Sequence, residues 1–321
     1  MIEKRDFYID GQWRAPAAAR DCTVIDPSTE ETCAVISLGG QADTDAAVAA
    51  AKAAVPGWMA TPPAERIALV EKLLEVYKTR AEDLAQAMSL EMGAPIDMAL
   101  SSQAGAGSWH LEGFIEAAKA FQFDHPLNDH TPEDRIIHEA VGVAALITPW
   151  NWPMNQITLK VGAALVAGNT MVLKPSEESP LDAMVFAEIM QAADLPPGVF
   201  NLVNGDGAGV GSQLSSHPDV DMVSFTGGLS TGQKIIRASA ETVKRTAVEL
   251  GGKNPNIVFA DTDFELAVDY VMLAVFLHSG QVCSAGARLI IEGSVADAVV
   301  DEVVRRAQRI RLGNGLTDGV E

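Results

Sequence analysis

The chain has 321 residues, too many for one small core, so two domains are the natural expectation. With 23 Lys plus Arg against 43 Asp plus Glu, its formal charge is −20, which disfavours nucleic acid or an anionic membrane as the main partner. Hydrophobic residues make up 48% of the sequence, which excludes a disordered chain, and no unbroken apolar run is long enough to span a bilayer.

The N-terminal MIEKRDFYIDGQW has basic residues but no apolar stretch after them, so no signal peptide is expected. Cys22, Cys33 and Cys283 are odd in number and lack CxxC spacing. That suits a reducing, cytoplasmic compartment and argues against a disulfide framework or a zinc site. The six histidines are scattered without an HxxxH pair, and no metal site is expected.

In chain order, the first part reads as mostly helical. Asp43 or Thr44 caps a run of Ala and Val reaching toward Pro56. Pro62 and Pro63 open a second helix whose core stripe is Ile67, Val70, Leu73, Leu74, Tyr77, Leu84 and Met88, and Gly93 ends it. A third helix is predicted from near Ile96 to Phe121. FDHPLNDHTPED then reads as a loop.

From Val141 short apolar strands alternate with helices. VGVAALI, TMVLK, VFNLV, VDMVSF, TAVEL, NIVFA and ARLIIE are the strands. Helices are expected near 155–167, 181–193, 264–277 and from Ala296 onward, with two more after Gly-rich turns. This alternation implies βαβ units, a mainly parallel sheet and an α/β fold, with ligands at the C-terminal strand ends. The sequence stops at LGNGLTDGVE, a turn-rich stretch without a closing element, and truncation is expected.

The chemistry-bearing stretches all sit at strand ends. In TPWNWP, Pro149 and Pro153 fix the backbone around Asn151, whose amide either serves a developing oxyanion or belongs to a turn packed by Trp150 and Trp152. In LKPSE, Lys174 and Glu177 either hold the hydroxyls of an adenosine ribose or form a charged loop. A carboxylate there repels a 2′-phosphate and so favours NAD over NADP. NGDGAGVG and SFTGGLSTG are Gly-rich turns that let a backbone approach phosphate, or simply pack tightly; neither has the GxGxxG spacing. In ELGGKNP, Glu249 is either a general base or a surface glutamate. In SGQVCSAG, Cys283 is either a small core filler or a nucleophile in an open turn; its small neighbours weigh modestly against the filler.

TPWNWP, KPSE, SFTGG, ELGGKNP and GQVCSAGAR resemble, in order, the signature stretches of the NAD(P)-dependent aldehyde dehydrogenases. SFTGG with GQVCSAGAR looks most like the betaine-aldehyde-type members. The resemblance implies oxidation of an aldehyde to the carboxylate through a cysteine thiohemiacetal and thioester. Cys283 would be the nucleophile, Glu249 the base for hydrolysis, Asn151 part of the oxyanion site and Lys160 a proton relay. Ile147, Thr148, Pro149 and Trp150 would line the cofactor site, with Lys174, Pro175, Ser176 and Glu177 at the ribose. Gly207, Gly211, Phe225, Thr226, Gly227, Gly228, Leu250 and Gly251 would complete it, and Trp152 and Leu159 would face the substrate.

By the same resemblance, residues 1–123 and 147–250 form the NAD-binding domain, 124–146 an oligomerisation arm, and 251–321 the first part of the catalytic domain. Relatives of this kind continue further, which strengthens the expectation of truncation. They assemble as homodimers or homotetramers. A non-catalytic NAD-binding fragment, or a cofactor-independent thiol hydrolase using Cys283 and Glu249, are the alternatives.

Overall fold

Five strands precede the first helix in the computed structural model, which describes residues 1–317 and 319–321. They are β1 (Ile2–Lys4), β2 (Phe7–Ile9), β3 (Gln12–Arg14), β4 (Asp21–Asp26) and β5 (Glu31–Ser37). The first part is mostly helical from Gln41 onward, as read, but these strands before it were not foreseen. β1, β2 and β3 have three residues each, too short to show a period, and one of their pairings is distant, Tyr8 of β2 with Leu202.

Three helices follow, α1 (Gln41–Ala60), α2 (Pro63–Thr79) and α3 (Ala81–Met92). The N-cap of α1 is Gly40, not Asp43 or Thr44. Asp43 acts from inside the first turn, its carboxylate accepting from the Gly40 N–H at 2.9 Å. The helix continues through Pro56. The helix predicted to run unbroken to Gly93 splits at Arg80, which leaves helical geometry (φ −112°, ψ 12°) and pairs with Asp83 and Glu188. Gly93 does end α3, in the left-handed region at φ 73°.

Next come α4 (Ile96–Met98), a π-helical stretch (Ala99–Ala104) and α5 (Gly105–Ala120). The segment read as a loop is an antiparallel hairpin of β6 (Asp124–Asn128) and β7 (Thr131–Ile137). It buries almost no side chain, so it carries no hydrophobic alternation to betray it.

The βαβ part matches the expectation: β8 (Val143–Ile147), α6 (Pro153–Val166), β9 (Thr170–Lys174), α7 (Leu181–Ala192), β10 (Phe200–Leu202), a π-helical turn (Gly207–Gly211), α8 (Ser212–Ser216), β11 (Met222–Gly227), α9 (Leu229–Ala240) and β12 (Arg245–Leu250). The sheet order is β12-β11-β8-β9-β10-β2-β3, parallel from β12 to β10. β8 and β9 are buried on both faces, the cause of their continuous apolar runs. Ala144, Leu146, Met171 and Leu173 pack with α2, α3 and α5 to α7. Val143, Ala145, Ile147 and Val172 pack on the other face with α1 and Ile235 of α9.

The last elements are β13 (Pro255–Val258), α10 (Phe264–Phe276), β14 (Arg288–Ile291) and α11 (Ala296–Ala307). β13 and β14 form a separate two-stranded parallel sheet over a small cluster of Val258, Ala267 and Val271. Among the described residues no helix is long and apolar enough to cross a membrane.

Two carboxyls are buried where α3 meets α7. Glu91 caps α7 from outside, its oxygens accepting from the Leu181 and Asp182 N–H groups at 2.6 and 2.9 Å. Asp182 is fully buried and neither of its oxygens has a hydrogen-bond partner. Burial pushes both carboxyls up, Asp182 to about 7, and the Asp182 carboxyl raises Glu91 further. The folded state therefore binds more protons than the unfolded one above the ordinary carboxylate range, so stability falls as pH rises from about 4 through about 7. Asp182→Asn is expected to flatten that loss. Melting temperatures at about pH 5 and about pH 8 check it, and an equal drop in both proteins would contradict it.

Candidate active site

The C-terminal ends of β8, β9 and β11 lie side by side, with Ile147 level with both Lys174 and Phe225. The chain leaves the sheet there and leaves a cleft of about 330 Å³. Its lining includes Ile147, Thr148, Pro149, Trp150, Lys174, Ser176, Glu177, Gly207, Gly211, Phe225, Thr226, Gly227 and Gly228. Each of these was expected at a cofactor site. Lys174 is buried; its ammonium donates to the Pro175 carbonyl at 2.7 Å and to the Glu177 carboxylate at 3.2 Å. Burial pulls the Lys174 pKa down, and the Glu177 carboxylate opposes that. The Thr148 hydroxyl is buried in the cleft floor without a hydrogen-bond partner. At Gly227 a Cβ would stand 2.4 Å from the Phe225 ring, so a side chain there would force that ring to shift. At Gly228 a Cβ would meet open space, so crowding does not require glycine there.

Expected cofactor residues Pro175, Leu250 and Gly251 do not line the cleft. Pro175 is buried with its carbonyl turned to Lys174, Leu250 packs beside Gly232, and Gly251 is exposed at the end of β12. Conversely, Ser212, Ser215, Thr231, Lys234, Ile235 and Ala238 line the cleft and were missed. The last four recur at i, i+3, i+4 and i+7, one face of α9, a signal that was in the sequence once the helix start was known.

The catalytic candidates gather beside this cleft. After α10 the backbone turns through His278 (φ 51°), Ser279 (φ 52°) and Gly280 (φ 75°), three successive left-handed residues. This turn delivers Cys283 to the surface, exposed and unbridged. The core-filler reading of Cys283 is therefore wrong. The Asn151 side-chain amide donates to the Gln281 carbonyl at 2.8 Å, tying the turn after β8 to the cysteine loop. From the other side, the Asn254 amide donates to the Cys283 carbonyl at 3.5 Å, so the stretch after β12 also abuts this loop. Among the described residues no acceptor takes the Cys283 backbone N–H.

Glu249 is exposed near the end of β12, level with Thr226 of β11. Lys160 is buried on α6 and donates to the Thr226 hydroxyl at 2.8 Å, which in turn donates to Gln156. Burial pushes Lys160 down to about 8, and the nearby Glu249 carboxylate opposes that shift. Trp152 is half-buried at the start of α6, and Leu159 is exposed about two turns further along it. Among the described residues no group of three His, Cys, Asp or Glu side chains is placed to hold a metal ion.

The sequence profile described as the aldehyde dehydrogenase family matches residues 13–321. A 3-succinoylsemialdehyde-pyridine dehydrogenase from a Pseudomonas species is 46% identical over 300 residues, 93% of this chain and 62% of that protein. A betaine aldehyde dehydrogenase from Bacillus subtilis is 42% identical over 96% of this chain and 64% of that protein. A cysteine-to-alanine variant of aldehyde dehydrogenase C from Pseudomonas syringae, solved with NAD+ and octanal, superposes with a TM-score of 0.95. It is 43% identical, over 98% of this chain and 64% of that one. The chain thus spans 62–64% of the length of the two curated relatives. It belongs to the aldehyde dehydrogenase family.

Proposed function

We propose that the chain binds NAD in the cleft and serves oxidation of an aldehyde to the carboxylate, with Cys283 as nucleophile. The observation that carries this is the Asn151–Gln281 hydrogen bond, because it joins a nucleotide-sized cleft to an exposed cysteine through an amide. Residues 1–123 and 147–250 would supply the cleft and 251–321 the cysteine. The exposed hairpin within 124–146 would be the arm to a second subunit.

The cleft fits a dinucleotide. The orphaned Thr148 hydroxyl seeks a partner, the first turn of α9 opens without a side-chain cap, and Glu177 stands where a ribose would be recognised. NAD, when bound, supplies a hydride acceptor. The Cys283 thiolate adds to the aldehyde carbon, forming a C–S bond and an alkoxide. The free amide hydrogen of Asn151 and the Cys283 backbone N–H stabilise that alkoxide. Loss of hydride from the same carbon restores the C=O and leaves a thioester on sulfur. Glu249 takes a proton from water as its oxygen attacks the thioester, and the thiolate departs. Lys160, already lowered toward neutrality and sensing Glu249, passes protons near it. Trp152 and Leu159 would form the near wall of the substrate path. The two curated relatives carry different substrate names, so similarity leaves the aldehyde open.

NADH formation from NAD and a panel of aldehydes, measured on this chain and on one extended to the relatives' length, tests the proposal. NADH from either supports it. NAD binding with no NADH from both would favour the second reading, a nucleotide-binding protein without turnover.

The acidic group at the ribose position gives a further prediction. Glu177→Gln is expected to shift relative affinity toward NADP by roughly tenfold or more, because a like-charge repulsion against the 2′-phosphate is removed. Titration with both cofactors checks it, and an unchanged ratio would count against the ribose role.

A further inference from the structure

The Trp152 carbonyl accepts from the Gln156 N–H at 3.0 Å, but among the described residues no side chain of the Asn151–Trp152 turn bonds within the turn. Trp152, the N-cap of α6, makes no capping hydrogen bond, and its indole N–H has no partner. The turn is held from outside, by two buried residues that the proposed chemistry does not use. His278 packs edge-on against the Trp152 ring, with centroids 5.7 Å apart and planes at 73°. Gln103, fully buried in the π-helical stretch, donates to the Asn151 carbonyl at 3.5 Å.

His278 is an expensive residue to keep. It is buried, its Nε2 has no partner, and its backbone is left-handed, a region a non-glycine residue occupies only under strain. Burial holds its pKa below the ordinary histidine value, with the Asn151 backbone opposing, and the ring sits between the two loops. The same left-handed turn starts the path to Gln281, whose carbonyl receives the Asn151 amide. His278 therefore touches the oxyanion turn at its ring and leads to that turn's other anchor through the backbone.

We propose that His278 is a positioning residue, whose ring locks the Asn151–Trp152 turn against the cysteine loop and so aims the Asn151 amide at the reacting carbon. This rests on the reading of Cys283 and Asn151 given above. Misplacing a catalytic group by about an ångström costs roughly a hundredfold in rate, so loosening this lock is a rate effect rather than a binding effect.

The test is a double-mutant cycle on the active protein. His278→Ala is expected to lower kcat by roughly tenfold to a hundredfold, with KM for the aldehyde and Kd for NAD nearly unchanged. In an Asn151→Ala background the same substitution is expected to cost almost nothing more, because the amide it aims is already gone. His278→Phe keeps a ring on Trp152 and is expected to recover most of kcat. It also serves if the alanine variant melts too low to assay. Equal losses in both backgrounds, or a phenylalanine variant as slow as alanine, would overturn the positioning role. Iodoacetamide labelling of Cys283 at the wild-type rate would separate this from a damaged thiol. Full activity in Cys283→Ala would instead sink the underlying reading of the site.

Discussion

Cys283→Ala is expected to lower NADH formation by at least about a thousandfold while leaving NAD affinity and melting temperature unchanged. The side chain is exposed and lies outside the cleft lining, so its loss opens no cavity and removes no cofactor contact. Rate assays beside an NAD titration and a melting curve check this. Loss of NAD binding in step with loss of rate would assign Cys283 a structural part instead.

Asn151→Ala is expected to lower kcat by ~10²–10³, the usual effect of removing one donor to an oxyanion. KM should move little, because the amide acts on charge that develops only during the reaction. One amide hydrogen already serves the Gln281 carbonyl at 2.8 Å, so some loosening of the cysteine loop is expected as well. The rate of Cys283 alkylation reports that part separately. A raised KM with unchanged kcat would mean that Asn151 binds substrate without serving the oxyanion.

The parts of the fold that were legible in the sequence are those with local causes. β8 and β9 are covered on both faces, so their centres are unbroken apolar runs, VAALI and MVL, that show themselves. Gly93 marks the end of α3 because a left-handed residue was needed. What was missed lacks such a pattern. β2 has three residues and pairs with β3 beside it and, through Tyr8, with Leu202 nearly two hundred residues later. The helix ends at Arg80, which pairs with Asp83 and with Glu188 on α7, and no Gly or Pro announces it.

The site divides the same way. Motif glycines, Lys174 and Glu177 were found because they sit at strand ends, where a doubly wound sheet puts its crevice. Leu250 and Gly251, expected from the family resemblance, are not among the residues lining the cleft. His278 and Gln103 carried no local signal; their part is visible only once the turn after β8 is set against the loop after α10.

The thioester on Cys283 is the centre of the account, and trapping it is the most direct measurement. Glu249→Gln removes the proposed base and should leave the earlier steps intact. Mixed with NAD and an aldehyde, this variant is expected to release a single burst of NADH, and its intact mass should rise by one acyl group. Peptide mapping should place that group on Cys283. Steady turnover at the wild-type rate, or a burst with no acylated Cys283, would contradict the account.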